Sequence, residues 1–410
     1  MILSKAYVNG WIIQPIWGAE KINNKKIIPA VLILAIMLGV GGYTFLRQHA
    51  SQPTEIPKSA VDWSPMFHHD LSHTGYSTST APITNQTMWS YPTHNSIEYL
   101  SPAVVNGVVY VGSDDHSIYA LNATTGAKIW SYATGNSVES SPAVANGVVY
   151  ASSDDNNVYA LNAATGNQIW NYTTGKSVYS SPTVADGVVY FGSNDRNVYA
   201  LNAENGTKIW SYPTSNYVWS SPALVNGVVY VNSYDNAYAL NAKTGSKIWS
   251  HAASGTIYSS PAVTSGVVYF GSNHNVYAVE ASTGKEIWTY TTNGLVESSP
   301  AIANGVVYVG SDDNNVYALN AKTGIKIWSY PTGNSVDSSP AVANGVVYVG
   351  SEDNNIYALE AANGSKIWSY TTASSVESSP VVANGVVYVG SDDYYVYTFG
   401  SVAVPQPSPR

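Results

Sequence analysis

The sequence predicts an all-β fold: an eight-bladed β-propeller of four-stranded antiparallel blades, closed by an N-terminal strand and preceded by one transmembrane helix. Three observations lead there. A Ser-Pro pair recurs with its proline at Pro102, Pro142, Pro182, Pro222, Pro261, Pro300, Pro340 and Pro380, so that units of 39 or 40 residues follow one another. Each unit contains short strand-like runs between turn residues, and a period near 40 with that content marks propeller blades. The tryptophan of the outermost run occurs only seven times inside the array, and an eighth copy, "TMWSYPT" around Trp89, stands ahead of it.

The unit at 296–330 shows the elements in order. "VESSPAIAN" reads as a first strand. Asn304-Gly305 suits a two-residue hairpin, since both residues tolerate the positive φ of a type I′ turn. "VVYVGS" is a second strand, apolar on both faces because neighbouring sheets cover both. "DDNN" turns the chain, "VYALNA" is a third strand, Thr323-Gly324 turns again, and "KIWSY" is the outer strand. The final unit stops at "YVYTFG" with no outer strand. The Trp89 strand is therefore expected to complete the last blade and remove the open edges of the array. A linear β-solenoid is the alternative. Units four and five are one residue short in the second hairpin, and "NSIEYLSP" is one residue longer than "NSVESSP". These changes fall at turns, where a loop absorbs them.

The unit "YALNAKTGIKIWSY" resembles the PQQ-type repeat of the quinoprotein-like propellers, and the resemblance covers about 62–400, including the lead-in "DWSPMFHHDLSHTGYS". In that family the repeated tryptophan packs onto a neighbouring blade. The resemblance thus implies a structural, blade-docking role for Trp89, Trp130, Trp170, Trp210, Trp249, Trp288, Trp328 and Trp368. A large aromatic at a fixed point of every repeat is also core on general grounds. The family includes quinone-dependent dehydrogenases, a propeller subunit that helps assemble bacterial outer-membrane proteins, and many exported surface proteins. The quinone enzymes share an adjacent cysteine pair, and this chain has no cysteine. It is identified as a non-enzymatic exported or surface member: no cofactor, catalytic residue or metal site is expected. A quinone-dependent dehydrogenase-like enzyme and a purely structural envelope component are the alternatives.

Composition narrows the partners. Only 10% of the 410 residues are charged, and the net charge is −9. Residues 61–400 carry ten Lys/Arg against twenty-four Asp/Glu. Such a body repels phosphate backbones, which argues against nucleic acid and for a protein or cell-envelope partner. Residues 27–46, "IIPAVLILAIMLGVGGYTFL", hold no charge. Twenty helical residues span about 30 Å of hydrocarbon. Lys21, Lys25 and Lys26 precede them and Arg47 follows. The positive-inside tendency makes 1–26 a short cytoplasmic segment, 27–46 a single-pass membrane helix, 47–61 a linker, 62–400 an extracytoplasmic propeller and 401–410 a disordered tail. A cleaved signal peptide competes with the anchor.

If the units are alike, function belongs where they differ. The inter-blade loop and the second hairpin open on one face of a propeller. Three residues before each Ser-Pro proline stand Glu139, Tyr179, Trp219, Tyr258, Glu297, Asp337 and Glu377, with Glu98 or Tyr99 in blade one, and these form the expected ligand-binding rim of the central channel. The second hairpins carry Asp114-Asp115, Asp154-Asp155, Asp312-Asp313, Glu352-Asp353 and Asp392-Asp393, but Asn194-Asp195-Arg196, Tyr234-Asp235 and Asn273-His274 elsewhere. Both series divide the ring into an acidic arc, blades 6-7-8-1-2, and an aromatic arc, blades 3-4-5. The competing reading is that Asp and Asn simply suit hairpin turns. His68, His69, Asp70 and His73 are numerous enough to suggest a metal, but the family resemblance places them in a structural lead-in.

Overall fold

The computed structural model describes residues 62–400 and, as a separate unit, a short antiparallel pair of strands, Tyr7–Val8 with Trp11–Ile12. The membrane helix expected at 27–46, the linker and the C-terminal tail lie outside the described residues. No described helix is long and apolar enough to cross a membrane.

Residues 62–400 form eight sheets, one per repeat, in which the strands of a repeat pair antiparallel with their neighbours in sequence and two lead-in strands join from outside. Blade 2 is typical: Ala143–Ala145, Val148–Ser152, Asn157–Asn162 and Gln168–Thr173. The first hairpin turns at Asn146-Gly147 with φ of 51° and 77°, the left-handed pair that Asn and Gly accept. The innermost strand is shorter than the sequence suggests. In blade 6 it is Ala301–Ala303 rather than the whole of "VESSPAIAN". Pro300 has no N–H to give a ladder, and the serines before it bond to the neighbouring blade instead.

The core is not central. Eight apolar clusters lie between neighbouring blades, each drawing on both. This is why the second strands are apolar on both faces. Each outer-strand tryptophan reaches across such a junction. Trp130 Nε1–H donates to the Ala163 carbonyl of the next blade (2.9 Å), Trp170 to Ala203 (3.0 Å) and Trp288 to Ala321 (2.9 Å). Tyr150 of the second strand donates to the same Ala203 carbonyl. The indole lies over the glycine of the next third turn. A Cβ on Gly206 (φ 72°) would meet the Trp170 ring at 2.8 Å, so glycine there serves both the turn and the packing.

The ring closes as the tryptophan count implies. Blade 8 consists of Val381–Ala383, Val386–Gly390, Tyr395–Gly400 and the N-terminal Thr87–Pro92. Trp89 donates to the Ala123 carbonyl of blade 1 at 2.9 Å. Trp368 of blade 7 finds no covalent third turn in blade 8, and the Pro82 carbonyl accepts its indole N–H instead (3.2 Å).

The lead-in is built into the ring. Tyr76–Ser77 adds a fifth strand, parallel to Ala341–Ala343, to blade 7. Upstream of it the chain circles the axis. Carbonyls of Ser64, Pro65, Leu71, Ser72, Thr74 and Gly75 accept N–H bonds from Val104, Val144, Leu224, Val263, Ile302 and Val342 of six innermost strands, at 2.7–2.8 Å. Within their own repeats those N–H groups have no further strand to pair with, so the segment satisfies an otherwise bare edge. At blade 3 a side chain takes over: His73 Nε2–H points to the Thr183 hydroxyl at 3.3 Å.

Candidate functional site

The two serines of each repeat aim the residue before them. The N–H of the second serine donates to the Oγ of its counterpart in the next blade: Ser101 to Ser141, Ser141 to Ser181, and so on to Ser339 with Ser379, at 2.7–3.0 Å. The first serine's Oγ accepts from the second strand of its own blade, as Ser298 does from Gly310 N–H (3.0 Å). Behind the rim residue sits a buried valine or isoleucine such as Val138, Val218 or Ile257. Pinned on both sides, the residue between them faces the axis.

That arrangement makes a cavity of about 440 Å³. Tyr99, Glu139, Tyr179, Trp219, Tyr258, Glu297, Asp337 and Glu377 form its wall, with Phe67 of the lead-in among the other lining residues. Seven of these wall residues stand at the single expected position, and the eighth decides between the two alternatives of blade one. In blade one the wall residue is Tyr99, not Glu98. The extra residue puts Tyr99 at φ 54° and swings it toward the axis. Glu98 is not in the wall, although its charge still acts on Glu139 and Glu377.

The hairpin acids separate into two kinds. The second acid of each pair is a turn latch. Asp155 accepts from the Tyr159 hydroxyl (2.5 Å) and from Gly135 N–H (2.7 Å), and Asp353 from Tyr357 (2.6 Å) and Gly333 N–H (2.6 Å). The first acid is different. Asp114, Asp154, Asp312 and Asp392 each keep a buried Oδ1 with no hydrogen-bond partner among protein atoms, whereas Glu352 accepts from Asn334 (3.1 Å), and of the second acids only Asp115 shares the unpartnered Oδ1. Sequence reasoning treated each pair as a unit. The tyrosine four residues on is the signal that distinguishes its members.

Burial, followed by neighbouring carboxyls, raises the acids of this face. Glu139 is pushed up to about 8 and Glu297 to about 7. Asp114 is raised to about 7 and Asp392 to about 8. Asp337, buried and beside the carboxyls of Asp312 and Glu297, is pushed up to about 9. Opposite, Trp219 packs against Tyr179, Tyr258 and Tyr234 with ring centroids 5.6, 5.2 and 5.7 Å away. The Tyr234 and Tyr258 hydroxyls are 2.9 Å apart. Tyr234 was visible in the sequence only as a hairpin residue, and its place beside Trp219 depends on the ring's curvature. At the outer rim Lys176 and Arg196 sit over the Tyr217 ring at 5.5 and 5.6 Å.

The lead-in histidines are turned inward. His68 Nδ1–H donates to the His73 carbonyl (3.2 Å), and burial pushes His68 down to about 4 and His73 to about 3. His69 Nε2 lies 3.2 Å from Asp62 Oδ1. Among the described residues no group of three or more His, Cys, Asp or Glu is placed to hold a metal ion.

A family model described as outer membrane protein assembly factor BamB matches residues 78–216, 137–258, 218–279, 237–339 and 331–401. No curated protein matches the chain in sequence. Among solved structures, BamB from Moraxella catarrhalis is similar at 19% identity and a TM-score of 0.67, over 77% of this chain and 99% of that one. A quinohemoprotein alcohol dehydrogenase from Comamonas testosteroni is similar at 17% identity and a TM-score of 0.73, over 88% and 83%. A europium-containing methanol dehydrogenase is similar at 14% identity and a TM-score of 0.71, over 84% and 99%. At such identities these structures share the fold.

Proposed function

The chain belongs to the outer membrane protein assembly factor BamB family of PQQ-type repeats, and from that premise we propose that it is a non-enzymatic binding and scaffold module of the cell envelope. In this reading a single N-terminal helix at 27–46 holds it in the membrane, and the propeller is displayed outside the cytoplasm with the funnel face as its recognition surface. One observation carries the reading. The repeats are near-identical in strands and junctions, and their side chains diverge around the axial cavity, where they converge on one wall. Few pockets, with convergent polar groups on a rigid frame, are the usual form of a binding site.

The dehydrogenase neighbours suggest a second reading, catalysis with pyrroloquinoline quinone. The cavity residues do not fit that group. The quinone is a flat tricarboxylate, whereas four carboxyl side chains and no Lys or Arg line the wall.

The absence of cysteine makes a direct test simple, because one introduced thiol is labelled alone. Ser254→Cys, on the funnel rim, and Asn146→Cys, in a hairpin turn at the other end of a blade, serve as the two probes. On intact cells a membrane-impermeant maleimide labels both if the propeller is displayed outside. A maleimide photo-crosslinker then yields a discrete protein adduct from the rim position and none from Asn146→Cys. Adducts confined to Asn146→Cys, or no labelling of intact cells, would overturn the reading.

A further inference from the structure

In a closed ring of eight blades, residues four blades apart face one another. Trp219 of blade 4 therefore faces Glu377 of blade 8, and Tyr179 of blade 3 faces Asp337 of blade 7. Within the wall, the polar atoms that are buried yet without a hydrogen-bond partner among protein atoms are Trp219 Nε1, Asp337 Oδ1 and Glu377 Oε2. They lie on these same two axes. One side thus offers aromatic faces and a free donor, and the other offers free acceptors.

We propose that the cavity takes an organic cation with a flat apolar body, an arylalkylammonium group, its ring against Trp219 and its nitrogen between Asp337 and Glu377. The proposal rests on the binding-module reading and names the chemistry of its ligand. Trp219 is held between three tyrosines before any ligand arrives, so little freedom is lost on binding. The cavity, about 440 Å³, lies within the range of about 300–1,000 Å³ usual for small-molecule sites. An anion offers no donor to the free acceptors. A neutral aromatic leaves the acceptors unpaired. A bare metal ion makes no use of the indole. A cation on an aromatic body pairs the free acceptors and packs on the aromatic faces, which also attract positive charge, and it leaves the Trp219 Nε1–H to water or to a further acceptor on the ligand. The two basic side chains nearest the aromatic arc, Lys176 and Arg196, lie over Tyr217 at the outer rim and are not in the wall. The same chemistry comes from a free amine or from a Lys beside an aromatic residue on a partner's protruding segment.

Calorimetry on the full-length chain in mild detergent tests it. The probes are phenethylamine, its neutral analogue phenethyl alcohol, its anionic analogue 3-phenylpropionate, the capped dipeptide acetyl-Phe-Lys-amide, and calcium ion alone. Phenethylamine is expected to bind at least about tenfold more tightly than either uncharged or anionic analogue. Tighter binding of the dipeptide than of the free amine identifies a partner's side chain as the source, and the reverse identifies a free amine. Glu377→Gln should weaken the amine about fivefold or more and leave phenethyl alcohol unchanged, with the near-ultraviolet circular dichroism intact. Trp219→Ala should weaken phenethylamine and phenethyl alcohol alike. Equal affinity for phenethylamine, phenethyl alcohol and 3-phenylpropionate overturns the inference. So does calcium binding that ignores Trp219→Ala while no amine binds. If no probe binds but the rim crosslink still captures a partner, this inference fails and the binding-module reading stands.

Discussion

The N–H of Ser379 donates to the carbonyl of Leu100 at 3.0 Å, where seven other junctions pair a serine N–H with a serine Oγ. Blade one carries the extra residue, and its Ser101 Oγ is left buried without a partner. The circle of bonds is complete, but its last link is backbone rather than side chain.

That difference gives a paired prediction. Ser181→Ala removes the acceptor of the buried Ser141 N–H and should cost about 1–3 kcal/mol. Ser101→Ala removes a hydroxyl that bonds to nothing and should be close to neutral. Urea denaturation of the two variants checks the contrast. Equal losses would mean that the serine circle contributes little.

Two glycines with nearly the same backbone should behave differently. A Cβ on Gly187 (φ 76°) would stand in open space with no atom within 4 Å, whereas one on Gly206 (φ 72°) would meet the Trp170 ring at 2.8 Å. Alanine at either site costs about 1–2 kcal/mol for the left-handed conformation. Only Gly206→Ala also displaces the indole, adding about 1–3 kcal/mol. The difference in unfolding free energy between the two variants is the measurement.

Blade 8 is the one blade whose outer strand is not continuous with its third. Hydrogen exchange should find its seam first. Amides in Thr87–Pro92 and Tyr395–Gly400 are expected to exchange faster than those of the equivalent strands of blades 3 and 4. Uniform protection around the ring would show that the covalent break has no dynamic consequence.

Stability should depend on pH from both sides. The raised carboxyls, Asp337 and Glu139 foremost, keep protons in the folded state that the unfolded chain releases above about pH 4. Their effect is lost stability as pH rises toward about 9. His68 and His73 are depressed, so the unfolded chain binds protons that the folded one refuses as pH falls below about 6.5. Above that pH the carboxyl effect acts without the histidines, and below about pH 4 the histidine effect remains. A melting-temperature series should decline on the alkaline side, and Asp337→Asn should flatten that decline. An unchanged slope in the variant would separate Asp337 from the effect.

Much of this architecture was legible because repetition amplifies weak signals. One Asn-Gly hairpin is ambiguous, but eight units with a displaced Trp89 specify both the number of blades and the closing strand. The rim residues were legible for the opposite reason, since they differ against a constant background. Three things were not. The lead-in has no period, so the six carbonyls it gives to the innermost strands, and the fifth strand at Tyr76–Ser77, left no pattern. The serine pairs served as markers of the period, while their bonding crosses between blades. Glu98 and Tyr99 are adjacent in the loop, and which of them reaches the axis depends on where the extra residue bulges.

The lead-in also puts Phe67 into the lining of the axial cavity. The segment that ties the innermost strands together is therefore part of what a bound molecule would touch. A substitution there should move ring stability and ligand affinity in concert, so the two properties are not free to be tuned apart.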